Sequence, residues 1–200
     1  MQTSTATLRL AVLPRAGLLT DALLVAGGAG LVAACAQITI YHDPVPFTGQ
    51  TFAVVLVGAA LGSIRGAASL LLYLLVGLAG AHVYADGKHG WAVLSGSTGG
   101  YIVGFIAAAA LIGWLAERGW DRRVSTAVSA MLTGNVVIYI FGLTWLHHWF
   151  GAHPAYGTSW SVTLKNGLYP YVPGDLVKLY LAALALPTAW KLVHRIKRSP

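Results

Sequence analysis

Charge is what this chain most lacks. Aspartate and glutamate together number six in 200 residues, and charged residues of either sign make up 10%, against about 25% in an ordinary soluble domain. A single cysteine, Cys35, excludes an internal disulfide. No G-x-x-x-x-G-K-[ST] phosphate loop occurs, so the chain has no motif of its own for ATP hydrolysis. A G-x-S-x-G elbow is also missing, and no orienting acid is visible beside Ser97 and His147 or His148, which weakens a serine-hydrolase reading. His147, His148 and His153 have no cysteine or carboxylate at a familiar ligand spacing, which argues against a metal site.

What the chain has instead is apolar length. Hydrophobic residues make up 56% and the mean hydropathy is +0.68. These values predict an all-α, polytopic protein of the lipid bilayer, folded as one integral membrane domain over residues 1–200. Six apolar segments are read at about 17–38, 48–64, 66–84, 97–116, 124–147 and 174–193. Turn residues or charges separate them, in "YHDPVPFTGQ", "ADGKHG" and "ERGWDRR". The longest break, "HHWFGAHPAYGTSWSVTLKNGLYPYVPGD", is polar and aromatic. The stretch Val32-Ala33-Ala34-Cys35 resembles a lipoprotein cleavage box. However, the run from Gly17 to about Ile38 is long enough to span, since ~20 residues cross the hydrocarbon core.

The net charge of +7 points to membrane topology and not to nucleic acid. If all six segments cross, one side holds Arg9, Arg15, Arg65, Arg118, Arg122, Arg123, Lys191, Arg195, Lys197 and Arg198; the other holds only Lys88, Lys165 and Lys178. Basic loops mark the cytoplasm, so a bundle of six transmembrane helices with both termini cytoplasmic is expected. His42, His89, His147, His148 and His153 then fall in or beside the outward loops, with aromatic residues suited to the interface.

Three motifs stand out. The first helix carries Ala22, Ala26, Gly30 and Ala34 on one face, with Ala29 and Ala33 in a second row. Such rows admit a close neighbour, either within this protein or in a separate membrane subunit. "SGSTGGY", Ser95 to Tyr101, opens the fourth helix, with Ser97 or Thr98 as the cap. Its glycines expose backbone N–H groups to a polar ligand. In "VPGDLVK", Asp175 and Lys178 share a face at the start of an apolar helix. One acceptor and one donor within a few ångströms suit a small ligand that presents both N–H and C=O, such as a urea or amide.

Taken together, "VPFTGQTFAVVLVGAALGSIRGAASLLLYLLVGLAG", "GSTGGYIVGF" and "VPGDLVK" resemble the BioY family, the biotin-binding membrane subunits (S components) of energy-coupling-factor vitamin transporters. The resemblance runs from roughly Val45 to Leu186. It implies a non-enzymatic role in biotin uptake at a bacterial or archaeal plasma membrane, without a cofactor. It places Asp175 and Lys178 at the ureido group of biotin, Gln50 in the loop over the pocket, and Gly99 and Gly100 beside the ligand. It also implies docking of the Ala22, Ala26 and Gly30 face on a membrane coupling subunit (T component), itself driven by two cytoplasmic ATPase subunits. Lys88 departs from the Gly- and Asn-rich loop usual in the family, and it is expected either to meet the biotin carboxylate or to remain solvated. A subunit for thiamine or riboflavin, an intramembrane hydrolase and a structural membrane protein without a ligand are the alternatives.

Overall fold

The computed structural model describes residues 7–12, 17–40 and 43–198. Arg15 and His42 lie outside the described residues. The described chain is mostly helical: α1 (Leu8–Val12), α2 (Leu18–Ala36), α3 (Gln50–Leu61), α4 (Ser63–Leu78), α5 (Trp91–Ser95), α6 (Gly99–Glu117), α7 (Val124–Ala152), α8 (Trp160–Gly167) and α9 (Val172–Arg198). Four of these, α2, α6, α7 and α9, contain stretches long and apolar enough to cross a membrane, while α3 and α4 are shorter apolar helices. A two-stranded antiparallel ribbon, β1 (Thr39–Ile40) with β2 (Phe47–Thr48), precedes α3.

Close backbone contact holds α3, α4 and α6 together. Gly62 alone joins α3 to α4, with φ +87°, a left-handed conformation that favours glycine. A Cβ on Gly113 of α6 would lie 2.3 Å from the Gly62 carbonyl carbon. A Cβ on Gly58 would lie 2.8 Å from the Ala109 carbonyl oxygen. Lipid offers apolar side chains no hydrophobic gain from pairing with one another, so small residues and close packing carry helix association instead.

Polar contacts close the end of the bundle where α3 meets α4. The Ser63 N–H, an unpaired donor of the first turn of α4, donates to Glu117 Oε1 at 2.8 Å. Arg65 pairs with Asp21 of α2 at 2.7 Å. The turn between α6 and α7 buries Asp121, whose carboxylate accepts from Trp190 Nε1 of α9 at 2.5 Å. Burial pushes the Asp121 carboxyl above its ordinary range.

The stretch between α7 and α9 is more ordered than its polarity indicates. Helix α7 runs on to Ala152, and α8 forms within the stretch, capped by the Ser159 hydroxyl, which accepts from the Val162 N–H at 3.3 Å. His147 stacks on Trp160 at 4.1 Å and His153 on Trp149 at 3.9 Å. Among the described residues no group of His, Cys, Asp and Glu is placed to hold a metal ion.

Gly113→Ala is expected to destabilise the fold by about 1–3 kcal/mol through overpacking against backbone. Gly27→Ala, where an added Cβ meets nothing within 4 Å, is expected not to lower stability. Thermal unfolding of the two variants in detergent checks the contrast.

Candidate functional site

At the opposite end of the bundle a cavity of about 490 Å³ opens between the loops, within the roughly 300–1,000 Å³ usual for small-molecule sites. Segments 44–51, 82–98 and 101–105, residues 138–139 and the start of α9 contribute to its lining.

Its polar floor is built around α9. The Asp175 N–H continues the helix to Tyr171 O at 2.8 Å, leaving the side chain to point inward at 5% exposure. One turn on, Lys178 Nζ reaches Asp175 Oδ1 at 2.9 Å, with side-chain exposures of 17% and 7%. Desolvation of both ions calls for further partners, and the neighbouring elements supply them. Thr51 of α3 donates to Asp175 Oδ1 at 3.0 Å, and Tyr139 of α7 donates to Oδ2 at 2.5 Å. Lys178 Nζ also donates to Thr48 O at 2.7 Å and to Thr51 Oγ1 at 3.3 Å. It lies 3.9 Å from the centre of the Phe47 ring, a favourable cation–π placement.

The bond count has a chemical consequence. An ammonium has three donors, and Lys178 directs all three at protein oxygens. A carboxylate has about four acceptor sites. Asp175 fills three, two on Oδ1 and one on Oδ2. The pair is therefore closed on the donor side and retains room for one donor on Oδ2.

The wall above comes from the β2–α3 corner. Gln50, 6% exposed, accepts from Thr48 Oγ1 at 2.9 Å and donates to Tyr73 OH at 2.7 Å. Ser97 donates to Pro44 O at 2.5 Å, tying the approach to α6 onto the ribbon loop. Its hydroxyl is thereby committed, and His147 contacts Thr163 Oγ1 at 3.1 Å instead. Tyr171, buried beside Phe47, donates to Val45 O. Burial, and secondarily the Asp175 charge, raise the Tyr171 hydroxyl above its ordinary range, so it acts there as a neutral donor.

The third side is the loop between α4 and α5. Asp86 (φ +58°) and Gly87 (φ +66°) occupy the two central positions of a tight turn closed by Lys88 N–H to Ala85 O at 3.2 Å. Two left-handed residues at these positions are the usual role of Asp-Gly. Buried Tyr84 anchors the loop, donating to Leu74 O at 2.7 Å. Lys88, with its side chain 56% exposed, stands on the lining with Asp86 3.9 Å away.

Of the residues singled out in the sequence, Asp175, Lys178, Gln50 and Lys88 line this one cavity. Gly99 and Gly100, expected beside the ligand, are not among its lining residues. They line a separate apolar groove with Trp91, Val103, Phe141 and Trp145. A Cβ on Gly99 would strike Leu94 O at 1.8 Å, and one on Gly100 would strike Trp145 Cβ at 2.2 Å. Their smallness serves close packing, and Gly96, Ser97, Thr98 and Tyr101 face the cavity from this stretch. Ala22, Ala26 and Gly30 lie far from it in role: all three are exposed on α2, whereas Gly28 and Ala29 face the bundle. Thr51 and Tyr139 escaped the sequence reading. The signals were the second threonine of "TGQT" and a lone phenol inside the apolar run of α7.

Fold and cavity define a polytopic helical membrane protein with a cavity of small-molecule size at one end. The sequence profile of the BioY family matches residues 3–195, and the chain belongs to that family. A Thermotoga maritima protein named biotin transporter BioY is 37% identical over 170 residues, covering 85% of this chain and 90% of that one. Its Rhizobium etli namesake is 34% identical over 154 residues, 74% and 79% of the two chains. The crystal structure of the S component for biotin from an ECF-type ABC transporter superposes with a TM-score of 0.68 at 21% identity, covering 91% of this chain and 93% of that one, which establishes a shared fold.

Lys178→Met is expected to cost about 3 kcal/mol or more, because it leaves a buried carboxylate without its counter-ion. The double substitution Asp175→Asn with Lys178→Met is expected to recover most of that loss. Thermal midpoints of both variants test whether the pair behaves as one buried unit.

Proposed function

We propose that this chain is the substrate-binding membrane subunit of an energy-coupling-factor transporter and takes up biotin from outside the cell. The BioY profile and the relatives named biotin transporter support a transport protein and not an enzyme. The observation that carries the reading to atoms is the remaining acceptor site on Asp175 Oδ2 beside Lys178. Biotin's bicycle presents a ureido N–H and C=O side by side. The N–H donates to Asp175, and the C=O takes the hydrogen that Lys178 otherwise directs at Thr51, its longest contact at 3.3 Å. Gln50 keeps one amide hydrogen for the ligand after its bond to Tyr73. Lys88, a lining residue, is the cation proposed to pair with the ligand carboxylate.

In this reading the chain is one integral membrane domain. Six helices (α2, α3, α4, α6, α7 and α9) cross the plasma membrane of a bacterium or archaeon, with both termini inside. Arginine distribution supports that orientation: Arg65, Arg118, Arg122 and Arg123 lie at the end away from the cavity. The exposed row Ala22, Ala26 and Gly30, with nothing within 4 Å of a Cβ on Gly30, supports docking to a membrane coupling subunit driven by two cytoplasmic ATPase subunits.

Three outcomes test this reading. Detergent-purified protein is expected to bind labelled biotin tightly, unaffected by excess thiamine or riboflavin. Asp175→Asn is expected to weaken binding about 10- to 100-fold in a folded protein, since a hydrogen bond to a charged group is worth about 1.5–3 kcal/mol; an unchanged affinity would remove Asp175 from the site. Ala26→Trp is expected to spare biotin binding and block copurification with the coupling subunit, and normal copurification would refute that docking face.

A further inference from the structure

The loop between α4 and α5 carries more chemistry than Lys88. His82 and His89 also line the cavity, both exposed at its rim. Their rings meet edge to face with centroids 4.2 Å apart. The Asp86–Gly87 turn folds the loop back on itself, with the Tyr84 N–H donating to Lys88 O at 3.1 Å, and this return brings His82 and His89 together on either side of it.

We infer that His82 and His89, with Lys88, form a proton-dependent recognition site for the anionic end of the ligand, so that affinity for a carboxylate ligand rises as pH falls. The inference rests on biotin being the ligand. Imidazole is the side chain that ordinarily gains charge between pH 5 and 8. Two imidazolium rings at this separation, beside an ammonium, repel one another. A carboxylate placed among them offsets that repulsion and favours the protonated rings. By linkage, binding then takes up protons: affinity is greatest at low pH and falls as pH rises and the rings deprotonate. The other charged and titratable groups facing the cavity do not mimic this. Asp175 is a carboxylate, Lys88 and Lys178 are ammonium groups, and Tyr84, Tyr101, Tyr139 and Tyr171 are phenols; Asp86, off the lining but 3.9 Å from Lys88, is a further carboxylate, and all are types that ordinarily titrate outside pH 6–8. Solvent exposure of the rim screens the interaction, so the effect is about three- to tenfold between pH 8 and pH 6.

The test is equilibrium binding of biotin and of biotin methyl ester, which keeps the ureido group and lacks the charge, at pH 6 and pH 8. Wild-type protein is expected to gain affinity for biotin at pH 6 and to hold the ester equally at both. His82→Gln with His89→Gln is expected to lose the gain, binding biotin with equal affinity at pH 6 and pH 8. Equal pH dependence for acid and ester in the wild type, or a gain retained by the double variant, would overturn the role of the histidines. The wild-type comparison needs no variant to fold. Failure of folded wild type to bind either compound at both pH values would overturn the ligand assignment, and this inference with it, whereas binding without pH-dependent discrimination overturns the histidine role alone.

Discussion

Everything at the cavity end of the molecule answers to one constraint: Asp175 and Lys178 have been taken out of water. Their attraction alone does not compensate the loss of hydration. The surrounding elements complete the balance, Thr51 from α3, Tyr139 from α7 and the Thr48 carbonyl from the end of β2. Three separate segments are thereby fixed on the first turns of α9. The ribbon β1–β2, a minor element by length, matters because it delivers Thr48 and Phe47 to Lys178. The pair is satisfied by protein partners and still keeps one acceptor site on Asp175 Oδ2.

The far end solves a different problem with different residues. There α3, α4 and α6 meet through glycines that bring backbone against backbone, and a few ionic or capped contacts (Ser63 with Glu117, Arg65 with Asp21) close the helix ends. Helix α2 connects the two regimes. Gly28 faces Ser69 of α4 so tightly that a Cβ would come within 2.6 Å of its Oγ, while Ala22, Ala26 and Gly30 remain open on the other side. One helix thus shows both uses of small residues, internal packing and an unoccupied face.

The helical, membrane-embedded character was legible because apolar length and scarce charge leave few other folds. The pairing of Asp175 with Lys178 was legible for the same reason: two charges three residues apart on an apolar helix share a face, and they lie 2.9 Å apart. Gly99 and Gly100 show the limit. A glycine pair announces close approach without saying to what, and here the neighbours are Leu94 and Trp145. Thr51 and Tyr139 were hidden because their role depends on tertiary placement across α3, α7 and α9. Helix α8 was hidden because an eight-residue helix within a polar stretch has little periodicity to read. The Asp86–Gly87 turn did have a local signal in its dipeptide, but the contact of His82 with His89 across it did not.

The most direct test of the central claim is the pose of biotin in an experimental structure of the protein bound to it. The account predicts the ureido ring at the floor, with N–H at Asp175 Oδ2 and C=O at Lys178 Nζ, and the valerate carboxylate toward Lys88. A reversed pose, with the carboxylate on Lys178 and the bicycle at the loop between α4 and α5, would contradict it.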